Sequence, residues 1–407
     1  MIRLLRGPSL GLASLLMVGA TTMAASAAGA GQPGIGATTQ FTPVSARALT
    51  TPQPVKASDG NYHLAYELLL TNPTGAEVSV ETVEVRDAAD GRVILSLSGS
   101  DLSGQMNPIG NTTPAAAGSR IASSAASIIW LDVVAPDRAG IPAKIDHRVV
   151  GSIVTPAGER SFEATVLAIA VNLEDPVVLA PPVPGGTWLM SEGCCKNVTH
   201  HRRGLAPING ELYVPQRFAI DFFRLDDQHR SWLGDPKKLE SYLSYGIPVL
   251  AAADGLVVAA FDGLPDQHPP NPPAIPPMQD TVGNHVIVQV RPDVYLLYAH
   301  MKPGSVAVAV GQRLKVGERI GLIGTTGNST TPHLHFQVLT TPTFFPADST
   351  PYVFDRFVLV GHETERIWDD DLGLQPNGTI PFAPVTSPER LENSMPLDRD
   401  VVTFPAR

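Results

Sequence analysis

The sequence Gly324-Thr325-Thr326-Gly327-Asn328-Ser329-Thr330-Thr331-Pro332-His333-Leu334-His335-Phe336 delivers a run of turn-forming residues into an apolar strand. Side chains in a strand repeat every two residues, so His333 and His335 share one face and point their imidazoles into the same space. That arrangement suits one metal ligand beside one catalytic proton carrier or oxyanion donor. A His-x-His pair also arises on exposed strand faces, so its company decides. The glycines from Gly321 to Gly327 superficially resemble a phosphate-binding loop, but Pro332 and a strand follow where a helix should begin. The segment reads as a turn.

Company lies upstream. Val294-Tyr295-Leu296-Leu297-Tyr298-Ala299-His300-Met301 places a histidine at the very end of an apolar strand, and Val306 to Val310, Gly311, Lys315-Val316-Gly317 and Ile320 to Gly324 follow as short strands and Gly turns. Further strands are expected at Pro248 to Phe261, His285 to Val290, Arg319 to Gly324 and His333 to Leu339. One brief helix is expected near Pro236 to Tyr245. The proline-dense insertion from Asp262 to Gly283 should be a surface loop forming one wall of a cleft. The order Tyr-x-His, then Val-Gly-x-x-Ile-Gly-x-x-Gly-x-Thr-Gly-x-Ser-Thr, then Pro-His-Leu-His-Phe closely resembles the C-terminal half of lysostaphin-type zinc endopeptidases, the peptidoglycan-hydrolase family with the duplicated hybrid motif. The resemblance runs from about Ala219 to Val338, roughly a third of the chain.

Carried over residue by residue, the resemblance makes His335 a zinc ligand and His300 and His333 catalytic. The family's other two ligands come from a His-x-x-x-Asp motif, and Asp221 in Phe218-Ala219-Ile220-Asp221-Phe222 matches its aspartate. The following Gly246-Ile247-Pro248-Val249-Leu250-Ala251 matches the family's first long strand. The histidine does not match: Arg217 stands four residues before Asp221, and arginine cannot bind zinc. The pair His200-His201, about twenty residues upstream, offers a substitute from a longer loop, with His201 preferred. Two His nitrogens and one carboxylate oxygen leave a fourth position open, the pattern of catalytic zinc, one ion per chain. The implied reaction is hydrolysis of a peptide bond by zinc-activated water. His300 and His333 share the roles of base and oxyanion stabiliser, in an order left open. The implied substrate is the stem or cross-bridge peptide of peptidoglycan, although an acidic, proline-lined groove also suits another peptide.

Upstream, Arg47 to about Val178 shows short apolar alternations, at His63 to Leu70, Val78 to Val85, Arg92 to Leu97, Ser127 to Val134 and Ser161 to Val171, separated by turns such as Asn72-Pro73-Thr74-Gly75. The expected fold is therefore mainly β. An immunoglobulin-like N-terminal β-sandwich over 47–178 and a Pro/Gly linker over 179–187 precede a mostly antiparallel lysostaphin-type metallopeptidase domain over 188–340, with a C-terminal extension over 341–407. That tail offers one strand at Val353 to Val360, and after Asp369 it is polar and Pro-rich, either wrapping the surface or disordered. His63 and His147 are isolated and read as surface or satisfied core residues.

The first residues carry Arg3 and Arg6, an apolar run from Leu10 to Ala20 and small residues around Ala25-Ser26-Ala27. These are the parts of a signal peptide over 1–27, with a flexible leader to 46, so a periplasmic or extracellular location is expected. No later run is long enough to span a membrane. The formal charge of −10 and the lack of Lys/Arg stripes argue against nucleic-acid binding. The two cysteines, Cys194 and Cys195, are adjacent: a vicinal disulfide or two free thiols, with a zinc site ranked last. His285 reads as a packing or surface residue, His229 and His268 as solvated, and Asp226, Asp227, Asp254 and Asp262 as turn and cap residues. Two other functions stay open: a catalytically silent relative that binds cell wall or activates another hydrolase, and a β-rich adhesion or carbohydrate-binding protein. Oligomeric state is not legible.

Overall fold

Alternating apolar residues fold as strands along most of the chain, and the architecture is mainly β. The computed structural model describes residues 40–110, 118–269, 276–367 and 369–406. The signal peptide and all but the end of the leader lie outside the described residues. At the leader's end, Ser45–Ala48 is a strand paired with Leu68 to Thr71.

The strands read in the N-terminal half form at Tyr62–Thr71, Val78–Asp87, Val93–Ser98, Ala126–Ala135 and Gly158–Ala170. They belong to two five-stranded antiparallel sheets. Leu64, Tyr66, Leu68 and Leu70 from one sheet and Val78, Val83, Val85, Ile145 and Val149 from the other build a single apolar core. The strand Lys144–Thr155 escaped the sequence reading because a histidine occupies one of its inward positions. His147 is fully buried there and is satisfied by the Tyr66 hydroxyl at 2.8 Å and the Leu167 carbonyl at 3.0 Å.

The C-terminal half is organised by a twelve-stranded sheet. Its main path runs Val177–Leu179, Tyr352–Glu363, Asp400–Phe404, Gly186–Ser191, Ile220–Arg224, Leu334–Leu339, Val294–Ala299, His285–Arg291, Gly255–Phe261 and Arg313–Leu314. Every pairing is antiparallel except the first, where Val177–Leu179 runs parallel to Tyr352 to Phe354. The expected linker 179–187 thus has its first residue in the edge strand Val177–Leu179 and its last two in Gly186–Ser191. The C-terminal tail does not merely wrap the surface. Asp400–Phe404 inserts between Gly186–Ser191 and Tyr352–Glu363, and Phe382–Ser394 also pairs with the latter. Val401, Val402 and Phe404 are buried, and prolines upstream of them had broken the periodic signal.

Two further expectations change. Pro248 to Phe261 is not one strand: Pro248–Leu250 pairs with Arg319–Leu322 in a separate two-stranded sheet, and Gly255–Phe261 pairs with His285–Arg291. Asp254 caps the break between them, accepting from the Val316 amide at 2.9 Å. The helix near 236–245 reduces to one 3-10 turn, Leu239–Ser241. Ten residues are too few to hold a helix unaided, and the Tyr242 hydroxyl is drawn to the Pro236 carbonyl at 2.8 Å. Among the described residues no helix is long and apolar enough to cross a membrane.

The central strands have one face against the main core. Ile220, Phe222, Leu334, Phe336 and Val338 all point into it, each large side chain contributing about 1.5–3 kcal/mol by its burial. Their alternate neighbours are forced onto the opposite face.

Candidate metal centre

The alternate neighbours are Asp221, His333, His335 and Gln337. Asp221 is the register partner of His335 across the Ile220–Arg224 and Leu334–Leu339 strands, and His335 is in turn the partner of Ala299. Register partners project their side chains to the same side of a sheet, so one carboxylate and one imidazole meet there without any loop having to reach. His335 Nδ1 lies 2.9 Å from Asp221 Oδ1. His333, two residues before His335, places Nε2 3.5 Å from the same oxygen.

His300 follows Ala299 and in a regular strand would face the core. Instead it adopts φ +60°, a left-handed conformation that re-aims the side chain at a cost of about 1–3 kcal/mol. Its ring then lies 4.9 Å from that of His333 and 5.6 Å from that of His335, centre to centre. His201 arrives from the four-residue helix His200–Arg203, which Thr199 caps through the Arg202 amide. His201 Nε2 lies 3.4 Å from Asp221 Oδ2. All five side chains are buried. The five residues expected from the sequence are therefore brought together around one carboxylate.

The outer hydrogen bonds assign the ring protons. Gln337 donates its amide to the Pro215 carbonyl at 2.7 Å, which leaves its oxygen to accept from His335 Nε2 at 2.8 Å. His335 Nδ1 therefore carries a lone pair, and it faces a carboxylate oxygen. His201 Nδ1 donates to the Glu192 carbonyl at 3.1 Å, His300 Nδ1 to the Thr326 carbonyl at 2.7 Å and His333 Nδ1 to the Thr331 carbonyl at 2.8 Å. Each of these rings likewise turns a bare Nε2 inward. Thr326 and Thr331 belong to the turn Gly324 to Thr331, where Gly327 takes φ +78° and packs so tightly that a Cβ would lie 2.4 Å from the Gly283 nitrogen. The turn that precedes the His-x-His strand thus fixes both His300 and His333.

Burial holds His201 and His300 well below the ordinary histidine pKa, and His333 below it, with Asp221 opposing the shift in each case. These imidazoles are neutral at physiological pH. Burial would raise the Asp221 carboxyl, but attraction to positive charge on His333, His201 and His335 outweighs it and holds the carboxyl well below its usual range, so the pocket favours a carboxylate with positive charge beside it. Inward lone pairs and a carboxylate converging in a buried space are mutually repulsive unless a cation lies among them. His201 Nε2, Asp221 and His335 Nδ1 suit zinc: nitrogen and oxygen donors, each ring oriented by a second hydrogen bond. His201 Nε2 lies 3.4 Å from Oδ2 and His335 Nδ1 2.9 Å from Oδ1, so the two rings approach opposite oxygens of the one carboxylate.

His200 is exposed, and its Nδ1 lies 3.1 Å from Glu192 Oε2. A ligand-type atom of His200 also lies within 4.8 Å of His201 and Asp221, so the pair forms an outer and an inner histidine at the same carboxylate. Sequence reasoning missed Gln337, which the two-residue spacing His333, His335, Gln337 would have flagged, and Glu192, whose role rests on a backbone carbonyl that carries no side-chain signal. Arg217 is not near the cation space as a ligand; it is buried and directed to Glu67. Cys194 and Cys195 form a disulfide. Asp226 caps a turn, accepting from the Gln228 and Arg230 amides, while His229 is not simply solvated but stacks on Phe382 at 3.7 Å.

Residues 241–343 match the family model described as Peptidase family M23. The match includes His300, His333 and His335 and excludes His201 and Asp221. An uncharacterized metalloprotease of Buchnera aphidicola is 30% identical over 93 residues, 23% of this chain and 20% of that protein. The peptidoglycan DD-endopeptidase ShyA of Vibrio cholerae is 33% identical over 94 residues, 23% of this chain and 18% of that protein. The chain thus spans a fifth or less of the length of these relatives. Among solved structures, the catalytic domain of lysostaphin from Staphylococcus simulans aligns at 22% identity over 41% of this chain and 88% of that one, with a TM-score of 0.23. The resemblance read from the Tyr-x-His and His-x-His elements is therefore matched by family and by relatives.

Proposed function

We propose that this chain is an exported zinc metalloendopeptidase that hydrolyses peptide bonds in the stem or cross-bridge peptides of peptidoglycan. The observation that carries the reading is the set of buried imidazoles turning unprotonated nitrogens towards Asp221. His201, Asp221 and His335 would hold one zinc ion per chain. Zinc, once bound, supplies a Lewis acid and brings the pKa of a coordinated water towards ~7. His300 and His333 stand beside that position as neutral bases, each with an outer N–H fixed by a backbone carbonyl. One takes the proton from water at its bare Nε2 and passes it to the leaving amine, and the other stands beside the developing oxyanion as its stabiliser.

The substrate class rests on the M23 match and on relatives whose names include peptidoglycan endopeptidases. Export rests on the N-terminal Arg-flanked apolar run. We read the two N-terminal sheets as an immunoglobulin-like β-sandwich that carries no chemistry of its own. A catalytically silent relative is the second reading, favoured by Arg217 at the family's histidine-ligand position.

Digestion of sacculi separates the two. Zinc-loaded protein is expected to release soluble muropeptides carrying newly exposed amino groups, a chelator to stop the release, and added zinc to restore it. Protein that sediments with sacculi and holds zinc, yet exposes no new amine, is the silent relative.

A further inference from the structure

Glu67 lies in the strand Tyr62–Thr71 of the N-terminal sheets and is fully buried, with no place for a carboxylate unless it is paired. Its partners come from the C-terminal half. Arg217 grips it in a fork, Nε to Oε1 at 3.0 Å and Nη2 to Oε2 at 2.7 Å, and Arg202 Nη1 donates to Oε1 as well. Arg202 further donates to the Tyr66 carbonyl at 3.0 Å and the Leu131 carbonyl at 3.1 Å, and lies over the Trp130 ring. Arg217 Nη1 reaches the Ser349 carbonyl at 3.2 Å and Asp348 Oδ1 at 3.3 Å. Two arginines and two carboxylates balance in charge.

Their positions in the chain give the cluster its meaning. Arg202 adjoins His201 in a four-residue helix, so fixing its guanidinium fixes that turn. Arg217 leads directly into the strand that carries Asp221. Pro215, two residues before Arg217, accepts from Gln337, whose oxygen in turn holds His335. All three prospective ligands are thus tied to segments anchored on one carboxylate from the N-terminal sheets.

We propose that Glu67 is a positioning residue for the metal centre, presenting His201, Asp221 and His335 to a shared cation, so that the N-terminal sheets are part of the site. Arg217, standing where a histidine ligand belongs in the resembling family, has exchanged coordination for this support. The proposal rests on the metal reading above.

The test is zinc affinity of the intact chain, measured by competition with a chelating dye, together with the visible spectrum of bound cobalt(II). Glu67→Gln is expected to weaken zinc binding about 10–100-fold, the range for groups that orient ligands, and to alter the cobalt spectrum. Glu84→Gln, which breaks the Arg148 pair elsewhere in the same sheets, is expected to bind as wild type does. Because Glu67→Gln leaves buried arginines unpaired, the triple variant Glu67→Met, Arg202→Met and Arg217→Met carries the test if the single one does not fold. Removing the three buried charges together generally preserves stability, and Asp348, which remains, is partly exposed to water. A merely structural Glu67 would lower unfolding temperature and leave affinity intact, and the apolar triple variant would then bind zinc as wild type does. Wild-type affinity in either folded variant overturns the proposal. Wild-type protein that binds neither zinc nor cobalt overturns the metal reading itself.

Discussion

His335→Ala is expected to fold and to retain no zinc, falling from about one ion per chain to none, with hydrolysis of sacculi lost alongside. The expectation follows from the tautomer. Gln337 Oε1 accepts from Nε2, so Nδ1 is the atom left to bind, and it lies closer to Asp221 Oδ1, at 2.9 Å, than His333 Nε2 does, at 3.5 Å. Folding should survive because Leu334, Phe336 and Val338, on the opposite face, keep the core contacts. The stability cost is the unpaired Gln337 oxygen, about 1–3 kcal/mol. Metal analysis of the purified variant, beside its circular dichroism, reads both halves. A folded His335→Ala chain with undiminished zinc would remove His335 from the ligand set.

His300→Ala and His333→Ala are expected to do the reverse: keep the zinc and lose about 10²–10⁴-fold in kcat, the usual contribution of a positioned proton carrier. The two ring centres lie 4.9 Å apart, each Nδ1 is held by a backbone carbonyl, and His333 Nε2 stands 3.5 Å from Asp221 Oδ1, within reach of water and substrate bound beside that carboxylate. A pH signature accompanies the loss. Burial holds both histidines below the ordinary value of about 6.5, and the deprotonated form is the active one. Protonation of these two rings should therefore cost wild-type kcat/KM only below pH 6.5, and an acidic limb centred at about 7 belongs to the metal-bound water. Equal muropeptide release by His333→Ala and wild type would remove that ring from catalysis.

The site was largely legible because it is written on strands. Two-residue alternation places His333 and His335 on one face, and the apolar run Val294 to Ala299 brings His300 to a strand end. What alternation could not give is the left-handed turn at His300, which reverses the side its residue number implies. His201 was legible only as a candidate, since a loop's return path is set by tertiary contacts: the Glu192 carbonyl on the ring and the Glu67 carboxylate on the neighbouring Arg202. The fold was read well where inward positions are uniformly apolar. It was missed at Lys144–Thr155, where His147 takes an inward place, and at Asp400–Phe404, where five residues after a proline-rich segment carry too short a pattern to identify a central strand.

Diffraction from crystals grown with zinc, recorded on either side of the zinc absorption edge, addresses the centre most directly. One anomalous peak per chain is expected, bonded at about 2.0–2.1 Å to His201 Nε2, an Asp221 oxygen and His335 Nδ1, with His300 and His333 beside it and unbonded. A peak held by His200 in place of His201, or no peak between residues 221 and 335, would contradict it.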